Sequence, residues 1–536
     1  MDLFCISHLC VCLVLRSAQK NAVVSDTSGW GAVEFDGFEK TKGNDGLVGG
    51  QPVNYTSFFY YILVSIVVLL YYLLPKRVRW IALLLGSCAF YYIAVKDPVK
   101  IAVFFFSIAA SYIGAIAIHK TADQSKAVRR TVLFLSIAIS ASPFLLYKAG
   151  DFIAGSVLYV PKVPWIVPLG ISFYSMQIIA YLSDVYMGRI LPQRNFAKYC
   201  LFISFFPQII QGPIPRYKQL GGQLFGGNDF EYRNLVRGTQ LIIWGFFLKL
   251  MIADKAAVVV NTIFDRYPAY LGMYVLVGGV LYSLQLYTDF LACTTLSQGV
   301  SELFGIHLIN NFERPYFSRS IKEFWRRWHI SLSHWLRDYV YIPLGGNRKG
   351  TLSKYKNLIV TFAVSGIWHG GSWKFLFWGL LHAAYQLMGG WTYKIRDGIY
   401  NRVDIPKDSL PRRLIQTIGT FFWAMLAWII FRASSLKGAV RMIASIFTVY
   451  NTWILFDDSL LKLGLVGKDW NVLILSLTIL FIVSALQERQ VKIRDWINEQ
   501  HVVIRWPIYI LAIWAILLFG TYGFGFNAQD FIYGGF

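Results

Sequence analysis

From Phe58 onward, apolar residues gather into runs of membrane-spanning length separated by short polar turns. The runs cover 58–74, 80–95, 99–118, 131–147, 163–183, 198–212, 238–254, 271–290, 357–388, 416–431, 471–486 and 504–522. At about 20 residues per span, this pattern predicts an all-α chain with about eleven or twelve membrane segments. Several runs are broken by glycine or proline, as in VPLGISFYS (167–175) and FFPQIIQGPIPR (205–216). Such breaks survive in lipid only where the freed backbone groups face protein or water, so the centre is expected to be irregular and partly wet. Ahead of these runs, residues 3–15 form a shorter apolar stretch preceded by Asp2, where a signal peptide would carry positive charge. Residues 21–50 are polar and glycine-rich, with Asp26, Glu34, Asp36, Glu39 and Asp45 against Lys40 and Lys42. Residues 1–55 therefore read as a poorly structured leader, and 56–536 as one membrane domain.

Composition sharpens this picture. Of 536 residues, 56% are hydrophobic and 15% charged, and the mean hydropathy is +0.48. A soluble surface needs more charge than that, which leaves lipid as the covering medium. The net charge of +22 would suggest nucleic acid in a soluble chain. In a membrane chain it lies mainly in loops, where it sets topology and meets anionic lipid. The early basic clusters are KRVR (76–79) and the 119–130 loop with Lys120, Lys126, Arg129 and Arg130, whereas the intervening 96–100 turn carries Asp97. This places residue 55 outside and the basic loops 322–356 and 392–413 on the cytoplasmic side. Cysteines at 5, 10, 12, 88, 200 and 293 form neither a disulfide framework nor a zinc spacing, and no metal site is expected.

The densest polar information lies in 321–350, IKEFWRRWHISLSHWLRDYVYIPLGGNRKG. At 100° per residue, Ile321, Phe324, Trp325, Trp328, Leu332, Trp335, Leu336 and Tyr339 share one face, which predicts a single amphipathic helix. His329 falls at the edge of that face. It reads either as an interfacial aromatic ring or as a functional group. His334 falls on the opposite face with Glu323, Arg327 and Asp338 and reads as solvated, so the two histidines cannot chelate one metal. Arg337 and Asp338 read as helix surface or a local pair. His369 ends an apolar run, flanked by Trp368, Gly370 and Gly371. A charged group in lipid costs on the order of 3 kcal/mol, so an ionisable residue at membrane depth is a functional candidate by default. Imidazole, with an ordinary pKa near 6.5, is suited to take and return a proton. The paired glycines are expected to let a substrate approach the backbone. His382 reads as a hydrogen-bonded core residue or a supporting partner. Asp184, Asp254 and Asp289 interrupt apolar runs, and capping or local pairing is the expected account of each. GxSxG, Walker A, HExxH and paired CxxC signatures are absent from the sequence.

The strings LGISFYSMQIIAYLSDVYMG, FISFFPQIIQGPIPR, EFWRRWHISLSHWLRDYVYIPLGGNR, SGIWHGGSWKFLFWGLLH, AWIIFRASS and the terminal FIYGGF closely resemble the membrane-bound O-acyltransferases (MBOAT), and within them the bacterial alginate O-acetylation branch. The likeness runs from about residue 56 to the C-terminus. One departure is TDFLACTTLSQG (288–299), where alginate-type relatives read FDFSGYSDMAIG; Asp289 and Phe290 are retained, but no role is carried onto Thr295. The resemblance implies a ring of transmembrane and re-entrant helices around a central tunnel joining a cytoplasmic donor side to an outer acceptor side. It implies His369, in the WHG motif, as the catalytic residue and His329 as the second important one.

The resemblance further implies acetyl-CoA or an acyl carrier protein as donor and an envelope glycan or a secreted partner as acceptor. The leading expectation is transfer of acetyl from cytoplasmic acetyl-CoA across the inner membrane towards a cell-envelope polysaccharide. The hand-over is expected through an extracytoplasmic SGNH-like acetyl-transferring partner, with no tightly bound cofactor. Arg326, Arg327, Arg348 and Lys349 are candidates for the CoA phosphates, and positive-inside topology accounts for them equally. Alternatives are D-alanyl transfer from a carrier protein to teichoic acid and, in another class, a glycan or lipid transporter. A transporter would be expected to show internal repeats, and no convincing repeat relates the two halves.

Overall fold

In the computed structural model, which describes residues 55–156 and 167–522, every regular element among the described residues is helical. The leader with its apolar stretch and three cysteines, residues 163–166 of one predicted run, and the terminal FIYGGF lie outside the described residues. Among the described residues, six helices are long and apolar enough to cross a membrane: Lys76–Val95, Pro98–Lys120, Met273–Glu302, Leu410–Arg432, Gly467–Glu488 and Val502–Phe519. A seventh is added if the bent pair Lys126–Ser140 and Ser142–Gly150, angled at 64°, crosses as one span. The chain is thus a multi-pass, all-α membrane protein, with fewer full-length apolar helices than predicted runs.

The shortfall has a physical cause in the breaks. The 198–212 run yields only the nine-residue helix Phe196–Ser204 before an irregular, buried stretch. Proline at 207, 213 and 215 removes donors and ends helical pairing there. The freed amides are met by side chains instead. Ser87 Oγ accepts from Phe206 N–H at 3.2 Å, Tyr55 Oη from Ile210 N–H at 3.2 Å and Ser331 Oγ from Ile214 N–H at 3.1 Å. The expected irregular centre therefore exists, and its backbone is satisfied by protein.

The 357–388 run folds as a hairpin, Gly350–His369 followed by Trp373–Trp391. Two glycines allow its arms to touch. A Cβ on Gly379 would lie 2.2 Å from Phe362 O, and one on Gly366 would lie 2.4 Å from Phe375 O. Met273–Glu302 is the central helix, with 72% of its apolar stretch buried against Tyr232–Phe246, Asp254–Asp265 and Leu410–Arg432. Val502–Phe519 is the opposite case, with 6% buried and most of the remainder exposed or half-exposed.

Acids inside apolar runs are paired, as expected, although not only locally. Asp184 meets Arg189 at 3.1 Å. Lys249 reaches both Asp254 at 2.9 Å and, from a different helix, Asp289 at 2.7 Å. A buried cation between two buried carboxylates satisfies the requirement that charge at depth be compensated.

Candidate active site

The amphipathic helix predicted over 321–350 is not continuous. It is built as Ile321–Arg327, a break at Trp328 and His329, and Ile330–Leu336, followed by a π-helical turn Arg337–Tyr341. His329 occupies the break in a left-handed conformation, φ 42° and ψ 57°. For a non-glycine residue this costs on the order of 1–3 kcal/mol and persists only when neighbouring contacts enforce it. Asn311 enforces it here. Its carbonyl accepts from Ile330 N–H at 2.9 Å and its Oδ1 from Ser331 N–H at 3.1 Å. Two residues away on each strand, Glu313 N–H donates to Arg327 O at 2.9 Å. A helical projection assumes an unbroken helix, so it could not give the direction of His329.

The left-handed turn directs His329 into the core, where it is 1% exposed. Phe290 packs edge-on to its ring at 4.7 Å between centroids, and Trp368 at 6.0 Å. Neither ring nitrogen of His329 has a hydrogen-bond partner among the described residues. A buried imidazole in that state is either costly or available to a ligand. His369 is 2% exposed at the end of the Gly350–His369 helix. Its ring meets Trp368 at 4.7 Å, Trp378 at 5.0 Å and Phe431 at 5.4 Å. Both histidines therefore pack on Trp368, whose indole N–H donates to Ser172 O at 3.4 Å. Forty positions apart in sequence, they lie no farther apart than those two ring separations combined.

Other expected residues separate clearly. His334 is exposed and Arg337 pairs with Asp338 at 2.8 Å, as read from the sequence. His382 is a buried core histidine whose Nδ1 accepts from Trp325 Nε1–H at 3.2 Å, linking the two motifs. Gly370 departs from expectation. A Cβ there would lie 2.2 Å from the Phe375 ring, so its space serves packing and is not held open for a substrate. Among the four cations, Arg327 is engaged by Glu323 at 2.7 Å and Glu488 at 2.8 Å. Arg326, Arg348 and Lys349 are exposed. Arg326 stands three residues from His329, whereas Lys349 is one helix length from His369, about 30 Å at 1.5 Å per residue.

Residues missed from the sequence are those that hold the histidines. Asn311 lies in a short polar turn with no periodic signal. Lys374 donates from Nζ to Phe431 O at 3.0 Å and Ala433 O at 2.7 Å, tying AWIIFRASS to the WHG loop. Lys249, a lone cation in FFLKLMIAD, was a detectable signal because it needed a counter-ion at depth.

The sequence pattern of MBOAT, the membrane-bound O-acyltransferase family, matches residues 191–399, a stretch that takes in both histidines. A probable alginate O-acetylase of Pseudomonas fluorescens is 33% identical over 404 residues, which is 75% of this chain and 77% of that protein. The chain belongs to the membrane-bound O-acyltransferase family. A peptidoglycan O-acetyltransferase of Helicobacter pylori is 32% identical, covering 72% of this chain and 78% of its own length. A teichoic acid D-alanyltransferase of Bacillus subtilis is 29% identical over 51% of this chain and 73% of its own. As a member of the family the protein is an O-acyltransferase.

Proposed function

We propose that this acyltransferase takes acetyl from cytoplasmic acetyl-CoA and passes it across the inner membrane towards a cell-envelope polysaccharide. The observation that carries this reading is the pair of buried histidines, His329 and His369, packed on one tryptophan in a chain whose O-acetylating relatives match about three quarters of its length. His369 acts as the base. It removes the proton from the acceptor hydroxyl as the hydroxyl oxygen attacks the thioester carbonyl; the C–O bond forms, the C–S bond breaks, and the departing thiolate takes the proton from the imidazolium. His329 supports the developing oxyanion or orients the acceptor. Arg326 is the nearer contact for CoA phosphates, and Arg348 and Lys349 act farther out, raising the local concentration of an anionic donor. The acceptor receives acetyl through an extracytoplasmic SGNH-like partner.

D-alanyl transfer from a carrier protein is the second reading, supported by the teichoic acid D-alanyltransferase likeness over about half the chain. The test is label transfer from radiolabelled acetyl-CoA in membranes containing wild type, His369→Ala or His329→Ala, with the partner present. Label should reach partner or glycan in wild type and vanish for His369→Ala at equal protein level. No movement of label, with glycan modification in cells still dependent on His369, would transfer the assignment to a carrier-protein donor. Indifference of glycan modification to His369 would overturn this site assignment.

A further inference from the structure

A groove of about 650 Å³, lined by neither His329 nor His369, lies between the start of the Tyr232–Phe246 helix and the Ile493–Glu499 helix that links the last two long spans. Arg233, Lys492 and Arg505 line it together with Trp496 and Tyr232. Of its two acids, Asp495 is paired with Arg237 at 2.5 Å, and that hydrogen bond keeps its carboxyl below the usual range. Three cations then line the groove against two acids, one of which Arg237 also offsets, so the groove carries a positive excess. Its shape is fixed without a ligand: Gln240 Nε2 donates to Asn498 Oδ1 at 2.8 Å and to Tyr509 Oη at 2.7 Å, pinning the linking helix to its neighbours.

The position of the groove selects the ligand. Tyr72 Oη donates to Leu303 O, Lys76 meets Asp229 at 2.6 Å, Arg79 donates to Asn228 O, and Arg494 approaches Glu302 at 3.9 Å. These contacts put the groove on the face that carries KRVR, the cytoplasmic face by charge bias. Val502–Phe519, an apolar helix with only 6% of its length buried, starts at the groove. Trp496 and Tyr232, 51% and 53% exposed, are the amphipathic rings that settle at headgroup level. We propose that this groove binds the phosphate headgroup of an anionic phospholipid of the cytoplasmic leaflet, with Arg233, Lys492 and Arg505 on the phosphate and Trp496 against the upper acyl chains.

Native mass spectrometry of the detergent-solubilised full chain, titrated with phosphatidylglycerol, phosphatidylcholine or CoA, tests this. Wild type should retain phosphatidylglycerol at a concentration at least tenfold below that needed for phosphatidylcholine. Arg233→Gln/Lys492→Gln/Arg505→Gln should lose that preference, whereas Lys437→Gln/Arg441→Gln/Lys462→Gln, which removes the same charge from other exposed positions, should keep it. Should the groove triple variant aggregate, Lys492→Glu alone, at an exposed side chain, must weaken phosphatidylglycerol several-fold. Equal retention of both lipids, or a preference that survives the groove variants, would overturn the proposal. CoA displacing phosphatidylglycerol at concentrations below the lipid's own would overturn it too, and would make the groove a nucleotide-phosphate site.

Discussion

Replacing Lys249 with methionine removes the one cation between Asp254 and Asp289 while nearly conserving volume. All three side chains are at most 5% exposed, and the amine lies 2.7 and 2.9 Å from the two carboxylates. Without it, those oxygens face each other across no more than the sum of those two distances; at an effective dielectric constant near 20 their repulsion is about 3 kcal/mol or more. Breaking a buried ion pair from one side generally costs about 3–5 kcal/mol, limited by the freedom of a carboxylate to take up a proton. Lys249→Met should therefore lower the thermal midpoint of the purified protein by several degrees, followed by size-exclusion chromatography of heated, fluorescently tagged samples. Adding Asp254→Asn and Asp289→Asn removes the stranded charges and should recover most of the loss. A second readout locates the effect. Phe290, next to Asp289, packs on His329, so Asp289→Asn should depress acyl transfer more than Asp254→Asn at matched protein level. A Lys249→Met protein that melts with wild type, or a triple variant no more stable than the single, would refute the argument that the triad is a dry, mutually compensating set.

Gly379→Ala places a methyl within 2.2 Å of Phe362 O; it should force the hairpin arms apart and cut the yield of folded protein sharply in the same chromatographic assay, whereas Gly389→Ala, with open space around it, should be neutral. Asn311→Ala keeps the backbone bond to Ile330 but strands the buried Ser331 N–H at a cost of about 1–3 kcal/mol and loosens the left-handed turn at His329; transfer should fall at least tenfold with KM for the donor little changed, and a variant with wild-type kcat would show that the Asn311 side chain does not position His329. Glu488→Gln weakens the bonds to Arg314 and Arg327, two residues from His329. Its loss of about 1 kcal/mol is typical of a partly exposed ion-pair network and should shrink at high salt, which thermal midpoints at two ionic strengths will read.

How much of this was legible in the chain differs from element to element. Mean hydropathy and the apolar runs determined a multi-pass helical protein, because the cost of burying bare backbone in lipid leaves helices as the default for runs of that length. An imidazole at membrane depth needs a reason to be there, which marked His369 as a candidate; His329 joined it only through the resemblance of the two motifs to the membrane-bound O-acyltransferases. Charge balance demanded partners for Asp184, Asp254 and Asp289, and each has one. Only the tertiary structure decided the rest. Whether 321–350 was one helix or two depended on Asn311, whose bonds to Ile330 and Ser331 come from outside the segment and leave no periodic trace. Whether Gly370 admitted a substrate or a side chain depended on where the hairpin placed Phe375. How many runs cross the membrane depended on which breaks found partners, such as Ser87, Tyr55 and Ser331 for the 205–216 stretch. Sequence periodicity records what each residue prefers against a uniform lipid or water phase. The candidate site is built where side chains distant in the sequence replace both phases, and that replacement exists only after the helices have packed.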